Sequence, residues 1–221
     1  SGAATATLNI SNVTPEMSAY TYRVIAIGIC LPNDTSETAS LSFVNIRYVK
    51  QGETGNGLSW ANASGDLQLM INLSCANTEI WVAQGTYYPN RPANNLNTIA
   101  VNNRDNAFVL KTDVKIFGGF PASGSPGMAL RDWNTNITTL SGDIGIANNT
   151  SDNSYHVVIS SGAVGSAELN GFIVTKGNAN ISKTIPVNGY NPNGRYGGGM
   201  YNDNSSPTIA NSTFSENKAT N

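Results

Sequence analysis

A glycine run opens the segment Gly197-Gly198-Gly199-Met200-Tyr201-Asn202, and Phe214-Ser215-Glu216-Asn217 follows it closely in a chain of 221 residues. Glycines before a short apolar strand, then Phe-x-x-Asn, are typical of one unit in a stacked β architecture. Such a unit cannot bury its apolar face alone and needs neighbouring units for stability. We therefore expect β structure on both sides of this segment.

The composition excludes several classes of protein. Charged residues make up only 12% of the chain, while hydrophobic residues make up 39%, and 22 glycines and 9 prolines predict frequent turns and short elements. A net charge of −2 without clustered lysine or arginine argues against nucleic acid as a partner. No apolar run approaches the roughly 18 residues that a membrane-spanning helix needs. Because Ser1 begins without a signal peptide, we expect a piece of a longer chain or a mature product.

The apolar pattern changes near residue 45 and predicts two domains, 1–45 and 46–221. The first contains three alternating runs, at 5–10, 20–26 and 40–44, which predict an antiparallel meander. In the second, helical spacing predicts one helix over about 65–74, with Ser64 as its N-cap. Short apolar runs separated by polar turns, including 79–83, 138–141 and 167–174, predict strands in the remainder.

Residues 1–45 resemble the last strands of an immunoglobulin-like sandwich, on the motif Met17-Ser18-Ala19-Tyr20-Thr21-Tyr22. The resemblance implies that Tyr20 is a tyrosine-corner residue, with its hydroxyl bonded to backbone just upstream. Ala19 replaces the usual glycine of this motif. Tyr22 replaces the core cysteine, so the intersheet disulfide of such domains is absent.

Residues 46–221 resemble the repeats of chlamydial polymorphic outer-membrane proteins and the β-helix domains of large secreted proteins from Bacteroidetes-type bacteria. The resemblance is carried by the two motifs quoted first and by Leu169-Asn170-Gly171-Phe172-Ile173 and Ile116-Phe117-Gly118-Gly119-Phe120. It implies an all-β fold: a right-handed parallel β-helix (solenoid) with an N-terminal capping helix, preceded by the partial immunoglobulin-like segment. It also implies structural roles for Gly198, Gly199, Phe214 and Asn217.

The titratable residues leave two questions open. Cys30 and Cys75 are either two free thiols or one bridge closing a long loop. Asp143 and Asp152, together with Asp132, fit turns in which aspartate bonds its own backbone, a structural cation such as calcium, or catalytic carboxylates. The only histidine, His156, opens an apolar strand, so we read it as a half-buried strand residue, and we expect no zinc site.

Aromatic residues in Gly/Asn/Pro-rich loops are the candidates for ligand contact. Loop aromatics offer a large apolar face with a polar edge, which suits sugar stacking. The candidates are Tyr87, Tyr88, Tyr190 and Tyr196. We expect Trp60 and Trp133 to pack loops, and Trp81 to face outward from its strand unless another segment covers it.

Together these observations predict a non-enzymatic, adhesin-like or stalk protein that presents loops from a rigid β-helix to glycans or surface proteins. The resemblance implies an extracellular or cell-surface location, reached by export across a bacterial outer membrane. Two alternatives remain open: a carbohydrate-active β-helix enzyme, either a polysaccharide lyase or a glycosidase, and a purely structural spacer. No cofactor is expected beyond structural calcium.

Overall fold

The structure is a computed structural model that describes residues 17, 20–27, 34–41 and 45–220. The chain divides into two compact units, Ser1–Val44 and Asn45–Asn221. Each unit is described by itself below. Within the described residues, no helix has the length and apolarity that crossing a membrane would require.

The described part of the first unit is antiparallel. Strand β1 (Thr21–Tyr22) pairs with β4 (Ala39–Ser40), and β2 (Ile25–Ala26) pairs with β3 (Asp34–Thr35). The run expected at 5–10 lies outside the described residues. The side chain of Tyr20 is 59% exposed, and apart from Met17 the upstream backbone that a tyrosine corner would involve lies outside the described residues. The immunoglobulin-like resemblance stays a prediction.

The second unit is built on parallel sheets of short strands. The strands are β5 (Ile46–Val49), β6 (Glu79–Ala83), β7 (Gly85–Tyr87), β8 (Phe108–Val109), β9 (Lys115–Phe120), β10 (Thr138–Ser141), β11 (Val158–Ser161), β12 (Glu168–Asn170), β13 (Ile173–Thr175), β14 (Asn178–Ala179), β15 (Met200–Asp203), β16 (Thr208–Ala210), β17 (Thr213–Ser215) and β18 (Lys218–Ala219). A five-stranded sheet has the order β16-β12-β9-β6-β5, a four-stranded sheet β17-β13-β10-β7 and a three-stranded sheet β15-β11-β8, while β14 pairs with β18. All these pairings are parallel.

The predicted fold class, an all-β right-handed parallel β-helix or solenoid, is wrong. The described residues are mixed, with 7% helix and 33% strand, and the strands of the second unit form several separate parallel sheets, none of them closed or continuous as a solenoid sheet. Turns interrupt the predicted runs: residues 167–174, expected as one strand, are split by Gly171 at φ 83° into β12 and β13. The arrangement is of the α/β type.

Helix α1 (Leu67–Leu73) packs against β5, β6 and β8. It lies inside the predicted range, but its N-cap is Asp66 rather than Ser64, because the Asp66 carboxylate accepts a hydrogen bond from the Leu69 N–H at 2.8 Å. The amide of Gln68 is fully buried, and its Oε1 accepts from the Val109 N–H at 2.8 Å. The helix is thereby bonded directly to the backbone of β8.

The apolar core lies between the sheets and α1. Its centre is formed by side chains that are at most 2% exposed, including Met70, Ile80, Phe108, Ile116, Leu169 and Phe172. Ile80 lies in the apolar run that predicted β6, and Met70 lies in the predicted helix. Burial of side chains of this size contributes roughly 1.5–3 kcal/mol each, so this cluster holds the sheets together.

A second, aromatic cluster covers another part of the five-stranded sheet. Trp81 stacks on Phe120 with ring centroids 4.8 Å apart, and Trp60 and Tyr48 close the cluster. The indole N–H of Trp60 donates to the Pro126 carbonyl at 2.8 Å, which ties a surface loop to the cluster. Trp81 is therefore covered by the segments that carry Trp60 and Phe120.

The glycine run 197–199 lies directly against the Phe-x-x-Asn motif at 214–217. A Cβ at Gly199 would lie 2.7 Å from Nδ2 of Asn217 and 3.0 Å from Cδ1 of Phe214, and one at Gly198 would meet the Lys218 carbonyl. The amide of Asn217 accepts from the Gly177 N–H and donates to the Val174 carbonyl, both at 2.9 Å. Glycine is thus required by close approach, while Phe214 itself remains 43% exposed.

Candidate functional site

A groove of about 540 Å³ runs past the ends of β8 and β11, and we call it the Tyr190 groove. Its apolar lining comes from Ile71, Leu96, Val109, Leu110, Gly162 and Ala163. Its polar lining comes from Asn72, Asn97, Lys111, Thr112, Ser161, Asn188 and the tyrosine itself. Amides, hydroxyls and one aromatic ring therefore converge on a single concave surface.

One wall of the Tyr190 groove is fixed by an ion pair. Arg91 is buried, and its Nη2 donates to Oδ2 of Asp66, the N-cap of α1, at 2.7 Å. The Leu96 carbonyl accepts from Nδ2 of Asn72 at 2.9 Å and from Nη1 of Arg91 at 3.4 Å. The loop that contains Leu96 is thereby held against the helix.

The opposite wall is a tight hairpin turn. The backbones of Val187 and Tyr190 exchange two hydrogen bonds of 2.9 Å each, and Asn188 and Gly189 between them have φ of 52° and 82°. Two positive φ values in a row define a type I′ turn, for which Asn-Gly is the preferred sequence. Ile185 and Val187 bury their side chains beneath the turn. Tyr190 is therefore presented by a short, well-supported element.

The floor of the groove lies where β8 and β11 end. Lys111 follows β8, and its Nζ donates to the carbonyls of Asn72 at 2.7 Å and Ser74 at 2.6 Å. Gly162 follows β11, where a Cβ would lie 2.8 Å from the Tyr190 ring. Glycine at this position lets the aromatic ring lie close to the floor.

The four predicted contact tyrosines are not brought together. Tyr190 is half-buried in the groove, whereas Tyr88 is 49% exposed and lines a separate hollow of about 360 Å³ that also contains Asp143. Tyr196 is 49% exposed and lines neither. Tyr87 is buried, and its hydroxyl donates to the Ala83 carbonyl at 2.9 Å, so it has no surface for a ligand. Burial raises the pKa of the Tyr87 hydroxyl.

The three candidate aspartates, Asp132, Asp143 and Asp152, each accept hydrogen bonds from nearby residues. Asp143 accepts from the Asn148 N–H at 2.9 Å and from Lys176 Nζ at 3.1 Å, and Asp152 accepts from the Ile146 N–H at 2.9 Å. Asp132 accepts from the Thr135 hydroxyl and the Asn134 N–H, and these hydrogen bonds lower its pKa. These contacts favour the turn reading, and the structural cation stays a prediction. Across the described ranges, no three His, Cys, Asp or Glu residues form a group that could hold a metal ion.

The structure describes one of the two cysteines. Cys75 is exposed and forms no disulfide with a described residue. Cys30 lies outside the described residues. The choice between two free thiols and a bridge stays a prediction.

The single histidine is more buried than expected. His156 is 1% exposed, its Nδ1 lies 3.1 Å from the Gly197 carbonyl, and its ring meets Tyr201 edge-on. Its Nε2 has no hydrogen-bond partner in the described residues. Burial lowers the pKa of His156 and outweighs the opposing effects of the Gly197 carbonyl and Asp105.

This burial predicts a loss of stability in mild acid. The unfolded chain takes up a proton at His156 with a pKa of about 6.5, whereas the folded chain does so only at lower pH. The unfolded state therefore binds more protons below pH 6.5, and the free energy of unfolding falls there by at most about 1.4 kcal/mol per pH unit. Urea denaturation between pH 7 and 5 should show this slope for the native chain and a flatter one for His156→Gln. Parallel profiles would contradict the assignment.

Two features of the Tyr190 groove were missed by the sequence analysis. The turn signal was present, because Asn188-Gly189 lies between Val187 and Tyr190, a pattern that indicates a two-residue hairpin. Lys111 gave a weaker signal, a polar residue directly after an apolar run. Because parallel strands end at the same edge of a sheet, residues that follow neighbouring strands meet there.

Comparison with known proteins adds no further constraint on this site. No protein-family model matches the chain, and neither a curated protein nor a solved structure matches it.

Proposed function

We propose that this chain is a non-enzymatic binding protein of the cell surface or extracellular medium, and that the Tyr190 groove binds a short segment of a carbohydrate chain. The observation that carries the proposal is the convergence of one tyrosine ring with amide and hydroxyl side chains on a single concave surface. Sugars present apolar C–H faces and rings of hydroxyl groups, and such a surface complements both.

The size and rigidity of the groove support this function. Its volume of about 540 Å³ lies within the roughly 300–1,000 Å³ typical of small-molecule sites. Both walls are held by hydrogen bonds, the Leu96 loop through Arg91 and Asn72 and the Tyr190 turn through Val187. A preorganised site loses less entropy when a flexible glycan binds.

The proposed mode of action is adhesion through many weak contacts. A partly open groove with one aromatic ring gives modest affinity for a single glycan segment. Many copies on one surface raise the effective concentration, and the combined affinity then exceeds that of a single site. The extracellular location and the adhesive role are carried over from the sequence motifs as part of this proposal, although the β-helix that the resemblance implied is not observed.

The two alternatives find less support in the contacts. A glycosidase needs a pair of carboxyl groups facing one substrate, whereas the hydrogen bonds of Asp132, Asp143 and Asp152 go to neighbouring residues of their own loops and to Lys176. A spacer needs no groove at all. Binding without release of sugar distinguishes the proposed function from both.

The proposal predicts that Tyr190→Ala weakens oligosaccharide binding about tenfold, because loss of ring stacking removes roughly 1.4 kcal/mol. Isothermal titration against a panel of neutral gluco-oligosaccharides and acidic uronic-acid oligosaccharides measures the effect. Tyr190→Phe retains the ring and should bind within about threefold of the native chain.

Tyr196→Ala is the matched control, because Tyr196 is 49% exposed but does not line the groove. It should leave the affinity unchanged. Equal losses for Tyr190→Ala and Tyr196→Ala, or no binding to any member of the panel, would contradict the proposal. Release of reducing or unsaturated sugar would instead support the enzymatic alternative.

A further inference from the structure

We infer that the glycan bound in the Tyr190 groove is anionic, and that Lys111 holds its negatively charged group. This inference rests on the proposed function and adds the class of sugar to it. It follows from the distribution of charge around the groove, where Lys111 is the one charged residue among the described residues of the lining.

Within the described residues, no carboxylate forms an ion pair with Lys111. The described ion pairs involve Lys50, Arg91, Lys176 and Lys183, and Lys111 belongs to none of them. Asp113 is close in the sequence, but its Oδ1 accepts from the backbone and hydroxyl of Ser166. The groove therefore carries a net positive charge in a protein whose net charge is −2.

The ammonium group also has a donor to spare. Its Nζ donates to two backbone carbonyls, those of Asn72 and Ser74. An ammonium group has three N–H donors. Among the described residues only these two carbonyls accept from Nζ, so one donor remains for a ligand. The two carbonyls fix the position of Nζ without cancelling its charge.

A fixed ammonium group favours an anionic oxygen over a neutral hydroxyl. Hydrogen bonds between charged partners are roughly twice as strong as those between neutral groups. A sugar carboxylate or sulfate therefore forms a stronger hydrogen bond with Lys111 than a hydroxyl does, whereas the Tyr190 ring stacks equally on charged and neutral sugars. The positive groove also attracts an anionic polymer from solution.

The experiment compares three defined probes by titration: oligogalacturonate, a sulfated galactan oligosaccharide and a neutral cello-oligosaccharide. We expect either or both acidic probes to bind at least about tenfold more tightly than the neutral one, and the two acidic arms distinguish carboxylate from sulfate. Their affinity should fall as salt rises from 50 to 500 mM, with little change for the neutral probe.

Variants of the lysine test its role. Lys111→Met should reduce acidic binding to the level of the neutral probe, and Lys111→Arg should restore it. Lys50→Met is the matched control, because it removes the same charge from an exposed pair with Glu53 outside the groove. Thermal unfolding of each variant shows whether loss of the carbonyl contacts alters the fold, and the salt dependence of the native chain tests the inference without any variant.

The results of these titrations distinguish the anionic preference from the proposed function itself. Equal, salt-independent binding of acidic and neutral probes, with a loss in Tyr190→Ala, would overturn the anionic preference and leave the proposed function in place. Acidic binding that is unaffected by Lys111→Met would also overturn it. Absence of binding to all three probes would overturn both claims.

Discussion

Asp66→Ala is expected to lower the free energy of unfolding by about 3–5 kcal/mol, because it leaves a buried cation without its partner. The side chain of Arg91 is 7% exposed, and its Nη2 lies 2.7 Å from Oδ2 of Asp66. The same carboxylate accepts from the Leu69 N–H at the start of α1 and from Nδ2 of Asn90 at 3.0 Å. Urea denaturation followed by circular dichroism measures the loss.

Two further variants separate the contributions of Asp66. Asp66→Asn retains an N-cap acceptor, which contributes about 1 kcal/mol, and should therefore be less destabilised than Asp66→Ala. The double variant Asp66→Ala/Arg91→Leu removes the unpaired charge and should be more stable than Asp66→Ala alone. A loss below about 1 kcal/mol in Asp66→Ala would show that Arg91 needs no partner.

Trp81→Ala is expected to lower the free energy of unfolding by about 3–5 kcal/mol, as for other large aromatic truncations in a core. Trp81 is 9% exposed, its ring is stacked on Phe120 at an interplanar angle of 12°, and Tyr48 meets it edge-on. Because the substitution removes a fluorophore, circular dichroism rather than tryptophan fluorescence should follow unfolding.

Trp133→Ala is the matched control for Trp81. Trp133 is only half-buried, with the Arg131 guanidinium 4.8 Å above its ring. Its loss should cost about 1–2 kcal/mol, in line with a partly exposed aromatic that makes one cation–π contact. Equal losses at both positions would contradict a buried aromatic cluster around Trp81.

Local structure could be predicted from the sequence where a single pattern was sufficient. The strands at Glu79–Ala83 and Thr138–Ser141 are confirmed with their predicted bounds. They are short apolar runs bounded by polar turns, and this pattern indicates a strand. The helix predicted over about 65–74 from apolar residues at helical spacing is confirmed as Leu67–Leu73, whereas the predicted N-cap, Ser64, is wrong because Asp66 caps the helix.

The assembly of these strands could not be predicted in the same way. An apolar run specifies a strand but not the sheet that the strand joins, and the fold class implied by the family resemblance was wrong. Residues 167–174 illustrate the difficulty, because Gly171 at φ 83° breaks an apparently continuous run. The helical and strand content and the separate parallel sheets become clear only in three dimensions.

The candidate site was predicted in part. Tyr190 was identified from its loop composition and lies in the groove, whereas Tyr87, its counterpart in a similar loop, ends strand β7 and is buried. Both tyrosines are followed by polar or proline-containing sequence, so composition alone does not distinguish them. The sequence signal for Lys111, a polar residue after an apolar run, was too weak to identify it, because its role depends on α1, which is remote in sequence.

Diffraction from crystals soaked with oligogalacturonate shows whether the Tyr190 groove is the ligand site. Electron density for a sugar is expected on the Tyr190 ring, with a carboxylate within about 3 Å of Lys111 Nζ. A sugar bound instead beside Tyr88 or Tyr196, with the Tyr190 groove empty, would contradict this expectation.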